Sequence, residues 1–162
     1  MKPRSIAAVI AAVLLMVPRA DAQLLFDLNP ADRSGFPGAA LTFNATLTNS
    51  GADAVFLNGD ASSLFSSALT LDDTLFFANA PLSLASGESW TGDIFTVSID
   101  SSASPGPHLG SFSAVGGADG AAQDTLATQY FEVDAVPEPA CLQLGALLAL
   151  GGLAVWRVRR RA

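Results

Sequence analysis

The sequence predicts an all-β fold for the middle of the chain, an antiparallel β-sandwich, and three observations predict it. Apolar and polar residues alternate over short segments, several of them rich in β-branched residues, which is the period of a strand with one buried face. Gly, Pro, Asn and Asp separate these segments at regular intervals, as turns do. No amphipathic stretch of helical length interrupts them, so two sheets packed face to face are the expected architecture.

The predicted strands follow one another with short connections. In Ala40–Asn49, alternate residues from Leu41 to Leu47 are apolar and share one face, while the threonines and Asn44 share the other. The residues after Asn49, Ser-Gly-Ala-Asp, then turn the chain. The full set of predicted strands is Leu24–Leu28, Ala40–Asn49, Ala54–Gly59, Leu69–Leu71, Leu82–Leu84, Ser89–Ile99, Gly106–Val115 and Ala122–Asp134.

Two segments between the strands have a different character. Residues 62–67 read SSLFSS and residues 72–79 read DDTLFFAN, and both combine capping residues with mixed polarity. We predict a single helical turn or an irregular crossover in each.

Turn placement and alternation in residues 37–49 and 87–99 resemble those of the immunoglobulin-like repeats of bacterial surface proteins. The Cys-Trp-Cys core of antibody domains is missing, since the single cysteine, Cys141, lies near the carboxyl end. The resemblance implies an immunoglobulin-like β-sandwich for residues 23–135 and carries no function.

Residues 1–22 have the three parts of a secretory signal peptide. Lys2 and Arg4 supply positive charge, residues 6–17 form an apolar run, and Ala20-Asp21-Ala22 is a cleavage site of the A-x-A type. A first transmembrane helix would need about 20 apolar residues, whereas this run ends at Pro18 and Arg19. We therefore expect export of the chain, with signal peptidase as a processing partner.

Residues 136–162 form a second terminal segment. Pro137, Glu138 and Pro139 precede an apolar stretch, residues 140–156, whose length is near the lower limit for a transmembrane helix. Arginines on the cytoplasmic side hold such a helix in place. The basic residues that follow the stretch are Arg157, Arg159, Arg160 and Arg161.

The order and spacing of these three elements resemble the sorting tail of the PEP-CTERM class of bacterial surface proteins. The resemblance implies recognition of Pro137, Glu138 and Pro139 by an exosortase, a membrane-embedded cysteine transpeptidase, with cleavage near the motif. It further implies a Gram-negative host that makes exopolysaccharide or biofilm matrix, a potential partner of the displayed protein. An ordinary single-pass anchor that is never cut is the alternative.

The middle of the chain is strongly acidic. Residues 23–135 contain no lysine, one arginine and thirteen carboxylates, a net charge of −12. Such a surface repels nucleic acid and anionic lipid headgroups, so we expect no nucleic-acid partner.

Residues for catalysis or metal binding are sparse. The only histidine, His108, lies among Pro and Gly residues, and no serine occurs in a G-x-S-x-G motif. The loop of residues 116–124 is rich in Gly and Asp but lacks the repeats of a calcium-binding array, so a long hairpin connection explains it. Among the aromatic residues, Trp90, Tyr130 and Phe36 are candidates for carbohydrate contact. We expect no catalytic residue, no metal site and no cofactor.

The sequence therefore favours an exported, non-catalytic surface or matrix protein in three parts: signal peptide 1–22, β-sandwich 23–135 and sorting segment 136–162. A carbohydrate- or calcium-binding adhesin is the main alternative. A small secreted hydrolase is a further one, which His108 together with a serine and a carboxylate in a single pocket would favour.

Export should remove residues 1–22 and leave Gln23 as the first residue, because Ala20 and Ala22 occupy the small-residue positions that signal peptidase requires. Amino-terminal sequencing of the protein from the cell envelope measures this. A mature chain that still begins at Met1 would contradict it.

Overall fold

The alternating segments form strands, and the strands form two sheets that pack face to face. The computed structural model describes residues 24–137. Its strands are β1 Leu24–Leu28, β2 Asp32–Gly35, β3 Ala40–Asn49, β4 Val55–Leu64, β5 Leu69–Asp72, β6 Ser83–Leu84, β7 Ser89–Ile99, β8 Gly106–Gly117 and β9 Asp124–Ala135, and its short helix is α1, Thr74–Asn79. The predicted all-β sandwich is confirmed.

The strands divide between a four-stranded sheet and a five-stranded one. Sheet A has the order β1-β3-β7-β5 and sheet B the order β2-β9-β8-β4-β6. Neighbours pair antiparallel in every case but one, since β2 runs parallel to β9. The prediction of a purely antiparallel sandwich is wrong at this edge. The chain passes from β1 in sheet A to β2 in sheet B without a hairpin, and β2 lies beside a strand that runs the same way.

Two further differences concern segments without strong alternation. Strand β2 was not predicted, because its sequence, DRSG, offers no apolar face. Strand β4 continues through Ser62 and Ser63 to Leu64, where the sequence suggested a helical turn, because β8 pairs with it over that whole length. The second predicted turn is confirmed as α1, which ends before Ala80 and Pro81.

Phenylalanine rings fill the space between the sheets. Phe43 and Phe95 from sheet A stack with centroids 4.8 Å apart, and Phe95 stacks in turn on Phe112 of sheet B at 4.7 Å. Phe131 of sheet B lies 5.1 Å from both Phe43 and Phe95. All four side chains are buried, and each such burial contributes roughly 1.5–3 kcal/mol.

The ring of Phe131 requires a glycine on the neighbouring strand. Gly110 on β8 and Phe131 on β9 are direct partners across the two strands. A Cβ at Gly110 would lie 2.3 Å from the Cζ atom of Phe131. An alanine at Gly110 would therefore displace the ring from the core.

Asn49 is a buried polar residue that organises one end of the sandwich. Its amide nitrogen donates to the carbonyl oxygens of Asp53, at 2.8 Å, and Leu84, at 2.9 Å. Its side-chain oxygen accepts from the Gly51 amide at 2.9 Å. One side chain thus joins the end of β3, the turn into β4 and the short strand β6, and all of its bonds are satisfied.

Arg33 joins the two sheets at the opposite edge from β5 and β6. Its guanidinium donates to the carbonyl oxygen of Thr42 and lies over the Phe43 ring, 5.9 Å from the centroid. The single cation of the acidic domain is therefore placed where a planar donor can contact both backbone and ring.

Asn49→Asp should destabilise the domain by about 2–4 kcal/mol, because the buried carboxylate keeps only the Gly51 amide as a donor and its second oxygen would face the Asp53 and Leu84 carbonyls, to which it cannot donate. Urea unfolding followed by far-ultraviolet circular dichroism measures the free energy of unfolding. Asn79→Asp is the matched control, since Asn79 is exposed and donates a single bond, to the Asp93 carbonyl. Equal losses in the two variants would contradict a special role for Asn49.

Candidate functional site

The structure reaches only the first residue of the proposed sorting motif. Pro137 is exposed at the end of the described chain. Glu138, Pro139, Arg157, Arg159, Arg160, Arg161, Ala20 and Ala22 lie outside residues 24–137, and their predicted roles stay predictions. Within residues 24–137, no helix is long and apolar enough to cross a bilayer.

The chain leaves the sandwich immediately before that motif. Ala135, the last residue of β9, pairs with Gly35 on one side and Gly106 on the other. The Val136 amide then donates to the Gly35 carbonyl at 2.9 Å. The ordered sheet therefore continues to within one residue of Pro137.

An open, polar pocket of about 380 Å³ lies at this same end of the sandwich. The connection between β4 and β5 contributes Ser66, and the connection between β7 and β8 contributes Asp100, Ser102 and Ser104. His108, near the start of β8, completes the lining. The pocket thus brings together a serine, a histidine and a carboxylate, the combination that would favour a hydrolase.

The hydrogen bonds of His108 fix which ring nitrogen carries the proton. Its Nε2 lies 3.0 Å from the carbonyl oxygen of Ser104, which can only accept, so Nε2 donates and the neutral ring accepts through Nδ1. The Ser66 hydroxyl lies 2.8 Å from Nδ1 and is its donor. The Ser66 oxygen also accepts from the Ala68 amide at 3.2 Å. His108 therefore ties two connections together.

The carboxylate of Asp100 does not take part in this chain of bonds. Its Oδ1 accepts from the amide and the hydroxyl of Ser102, at 2.7 and 2.6 Å. These bonds hold the pKa of Asp100 below its ordinary value. In a Ser-His-Asp triad the carboxylate accepts a hydrogen bond from the ring nitrogen that does not face the serine. In this pocket the Ser104 carbonyl accepts that bond. The three residues share a pocket without forming a relay.

The glycine- and aspartate-rich loop is closed by its own backbone. Asp119 accepts from the amides of Ala121 and Ala122, at 2.9 and 3.0 Å. Asn58 donates from β4 to the carbonyls of Asp119 and Ala122. The loop connects β8 to β9, so the predicted hairpin connection is confirmed. Within the described part of the chain, no three His, Cys, Asp or Glu residues group as metal ligands.

Asp60 is a carboxyl group whose environment raises its pKa. It lies on β4 opposite the buried Ala114 and is itself half-buried. Burial, together with the negative charge of Asp73, raises the pKa of Asp60 from 3.8 to about 6. By contrast, hydrogen bonds from the hydroxyl and amide of Thr74 lower the pKa of Asp72.

The three aromatic residues proposed for carbohydrate contact have different environments. Trp90 is half-buried and packs against the core. Phe36 is 44% exposed at the turn after β2, and Tyr130 is 68% exposed on β9. Trp90 thus covers the edge of the core, and Tyr130 is the most accessible of the three.

Two exposed apolar residues near Tyr130 were missed by sequence reasoning. Phe65 is 63% exposed and Leu109 is 50% exposed, and the Phe65 amide donates to the Leu109 carbonyl at 3.0 Å. We call Phe65, Leu109 and Tyr130 the outer patch of sheet B. The sequence around Phe65, Ser-Ser-Leu-Phe-Ser-Ser, gives no local signal for this patch, because the three residues come together only through the register of the strands.

Comparisons with known proteins show a fold and no family. No protein-family model and no curated protein matches the chain. Among solved structures, the secreted serine protease VesC from Vibrio cholerae matches with a TM-score of 0.50 and 19% identity, over 71% of this chain and 23% of that one. A PapD-like domain of human CEP192 matches with a TM-score of 0.43 and 10% identity, over 72% and 87%.

A family 123 glycoside hydrolase from Clostridium perfringens also matches, with a TM-score of 0.45 and 13% identity, over 65% of this chain and 22% of that one. The chain thus spans less than a quarter of the length of VesC. At these identities the likeness concerns the β-sandwich alone.

Asp60→Asn should stabilise the domain at pH 8 and have little effect at pH 3.5. Because the folded-state pKa lies above the ordinary value, the stability that protonated Asp60 contributes is full below pH 3.8 and is lost as the pH rises through about 6. For this half-exposed group we expect a gain of about 1 kcal/mol at pH 8, or roughly 5 °C in melting temperature.

Thermal melts between pH 3.5 and pH 8 measure this effect. Asp27→Asn, an exposed position on sheet A, is the control for the general loss of one negative charge. An equal gain from Asp27→Asn, or a gain from Asp60→Asn that does not change with pH, would contradict the assignment.

Proposed function

We propose that this chain is exported and displayed outside the cell as a non-catalytic surface or matrix protein, after an exosortase has processed its carboxyl-terminal segment. One observation supports this most strongly: β9 ends at Ala135 and the motif begins at Pro137. The last described strand thus ends just before the motif, and this arrangement supports a displayed domain followed by a removable tail.

The same boundary argues against the tail as part of the domain core. The buried residues of β9 pair and pack within sheet B, and its final residue, Ala135, is already buried between β2 and β8. Residues 24–137 already supply both sheets and the buried cluster between them. In this proposal residues 140–156 form the membrane segment that presents Pro137, Glu138 and Pro139 to the exosortase.

We infer further that the sandwich is immunoglobulin-like. The order β1-β3-β7-β5 in sheet A opposite β9-β8-β4 in sheet B corresponds to the ABED and GFC sheets of immunoglobulin domains. A phenylalanine stack occupies the place of the inter-sheet disulfide.

The bonds in the polar pocket support a structural role for its residues. A serine nucleophile needs a base that is itself oriented and stabilised as it becomes charged. The Nε2–H group of His108 is directed to a neutral carbonyl, that of Ser104, and Asp100 is bound to Ser102. Ser66 and His108 thus serve best as a clasp between the β4–β5 and β7–β8 connections.

A carbohydrate-binding adhesin remains the second candidate function, and the outer patch of sheet B favours it. The calcium-binding form of this alternative has less support, because the backbone amides of Ala121 and Ala122 already occupy a carboxylate oxygen of Asp119.

Replacement of Glu138 by Gln should block removal of the tail in a host that carries the exosortase, because a charge-matched partner in the enzyme would lose its ion pair, a loss of about 2–5 kcal/mol in recognition. Mass spectrometry of the surface-located protein measures the outcome. The wild type should lack Arg159, Arg160 and Arg161, and Glu138→Gln should retain them. Glu132→Gln, on β9, is the matched control and should be processed normally. Equal masses for wild type and Glu138→Gln, both with the arginines, would favour an uncut anchor.

A further inference from the structure

The outer patch of sheet B is a shallow amphipathic platform built on three adjacent strands. Ser63 on β4, Ser111 on β8 and Tyr130 on β9 form one row across the sheet. Phe65 and Leu109 belong to the next row. Residues paired in register project from the same face of a sheet, so the two small serines lie in a floor between the larger side chains.

Strand geometry gives the size of this platform. Phe65 and Tyr130 are separated by two strand spacings and one row, which places their Cα atoms about 12 Å apart. Ser111, between them, is only 9% exposed. The platform therefore offers an aromatic ring at each end, an aliphatic side chain and hydroxyl groups within one rigid surface.

The apolar area is too small for a stable interface between two copies of this chain. With 63%, 50% and 68% of Phe65, Leu109 and Tyr130 exposed, the accessible area is roughly 350 Å². A stable protein interface buries about 800 Å² on each partner. The net charge of −12 on residues 23–135 also opposes association of two copies.

The same charge selects against anionic partners. No lysine or arginine lies on the strand segments that form the patch, and Glu132 pairs with Leu109 at its rim. A polymer of uronic acids, or an anionic lipid surface, would meet like charge there. A neutral ligand would meet Glu132 as a hydrogen-bond acceptor.

We propose that the outer patch of sheet B binds a neutral polysaccharide. A pyranose ring has an apolar face of C–H groups and an edge of hydroxyls, which is the complement of exposed rings beside serine hydroxyls and a carboxylate. Tyr130 and Phe65 stack on the apolar faces of two sugar units, and Ser63 and Glu132 contact hydroxyls between them. The strands hold the platform in shape before the ligand arrives, which lowers the entropy lost on binding.

This inference rests on the proposed display of the chain outside the cell, where polysaccharide is present. The two proposals fail separately: binding is measured on the purified chain, whereas display and processing are measured by the mass and location of the protein in cells.

Native affinity electrophoresis tests the proposal with the full chain, purified in a detergent without a sugar headgroup. Gels contain hydroxyethylcellulose or dextran as neutral polymers and alginate as an anionic one. We expect at least one neutral polymer to retard the wild-type chain, and alginate not to retard it. Tyr130→Ser and Phe65→Ser should each weaken the retardation constant about tenfold, since loss of a stacked ring removes about 1.4 kcal/mol.

Phe77→Ser is the matched control, because Phe77 is 62% exposed but lies on α1, away from the patch. It should leave the retardation unchanged. Tyr130 is the only tyrosine of the chain, so its nitration by tetranitromethane reports on the site directly. The polymer that retards the chain should slow this nitration.

Three results would overturn the proposal. The first is that neither neutral polymer retards the chain and neither slows nitration of Tyr130. The second is an equal loss of retardation in Phe77→Ser and Tyr130→Ser. The third is stronger retardation by alginate than by either neutral polymer.

Discussion

The stack of Phe95 on Phe112 is the contact on which the rest of the domain depends, because it crosses from one sheet to the other. The rings are 4.7 Å apart and inclined by 17°, and Phe43 and Phe131 extend the cluster through their contacts with Phe95 and with each other. Residues 24–137 contain no cysteine, so this apolar contact holds the sheets together where a disulfide does so in antibody domains. Two neighbouring residues accommodate this cluster. Gly110 leaves room for the Phe131 ring, and Arg33 covers the Phe43 ring at the edge of the sandwich.

The sequence predicted best those strands in which apolar and polar residues alternate. Strands β3 and β7 have the predicted bounds, because alternation determines both the conformation and the buried side. Local pattern was insufficient for β2, which has no apolar face, and for the end of β4, where Ser62 and Ser63 read as a turn. Both segments are strands because a neighbouring strand offers an unpaired edge. That edge is supplied by residues distant in sequence, so no local window contains the information.

The candidate sites also differ in whether residues close in sequence or residues distant in sequence form them. The predictions for the terminal segments rest on short contiguous motifs, and the closure of the Asp119 loop depends on residues two and three positions along the chain. The contact between Ser66 and His108 joins two connections 42 residues apart, and the outer patch of sheet B requires the register of three strands. The predicted strand Gly106–Val115 already contained His108, and the pairing of β8 with β9 confirms that position, but the sequence did not show that Ser66 would lie beside it. Residue type predicted the chemistry that a side chain can perform. Sheet register determines which of those side chains come into contact.

The position of β9 between β2 and β8 determines how the domain would respond to a pulling force on its carboxyl end. Val136 leaves along the axis of β9, and the hydrogen bonds of a sheet run across the strands. Tension applied there acts along the strand, so the bonds to both neighbours are sheared together and cannot open one at a time from the end. The parallel pair with β2 adds a second ladder to the one formed with β8. A load on the carboxyl end would therefore be carried by two ladders of backbone hydrogen bonds at once.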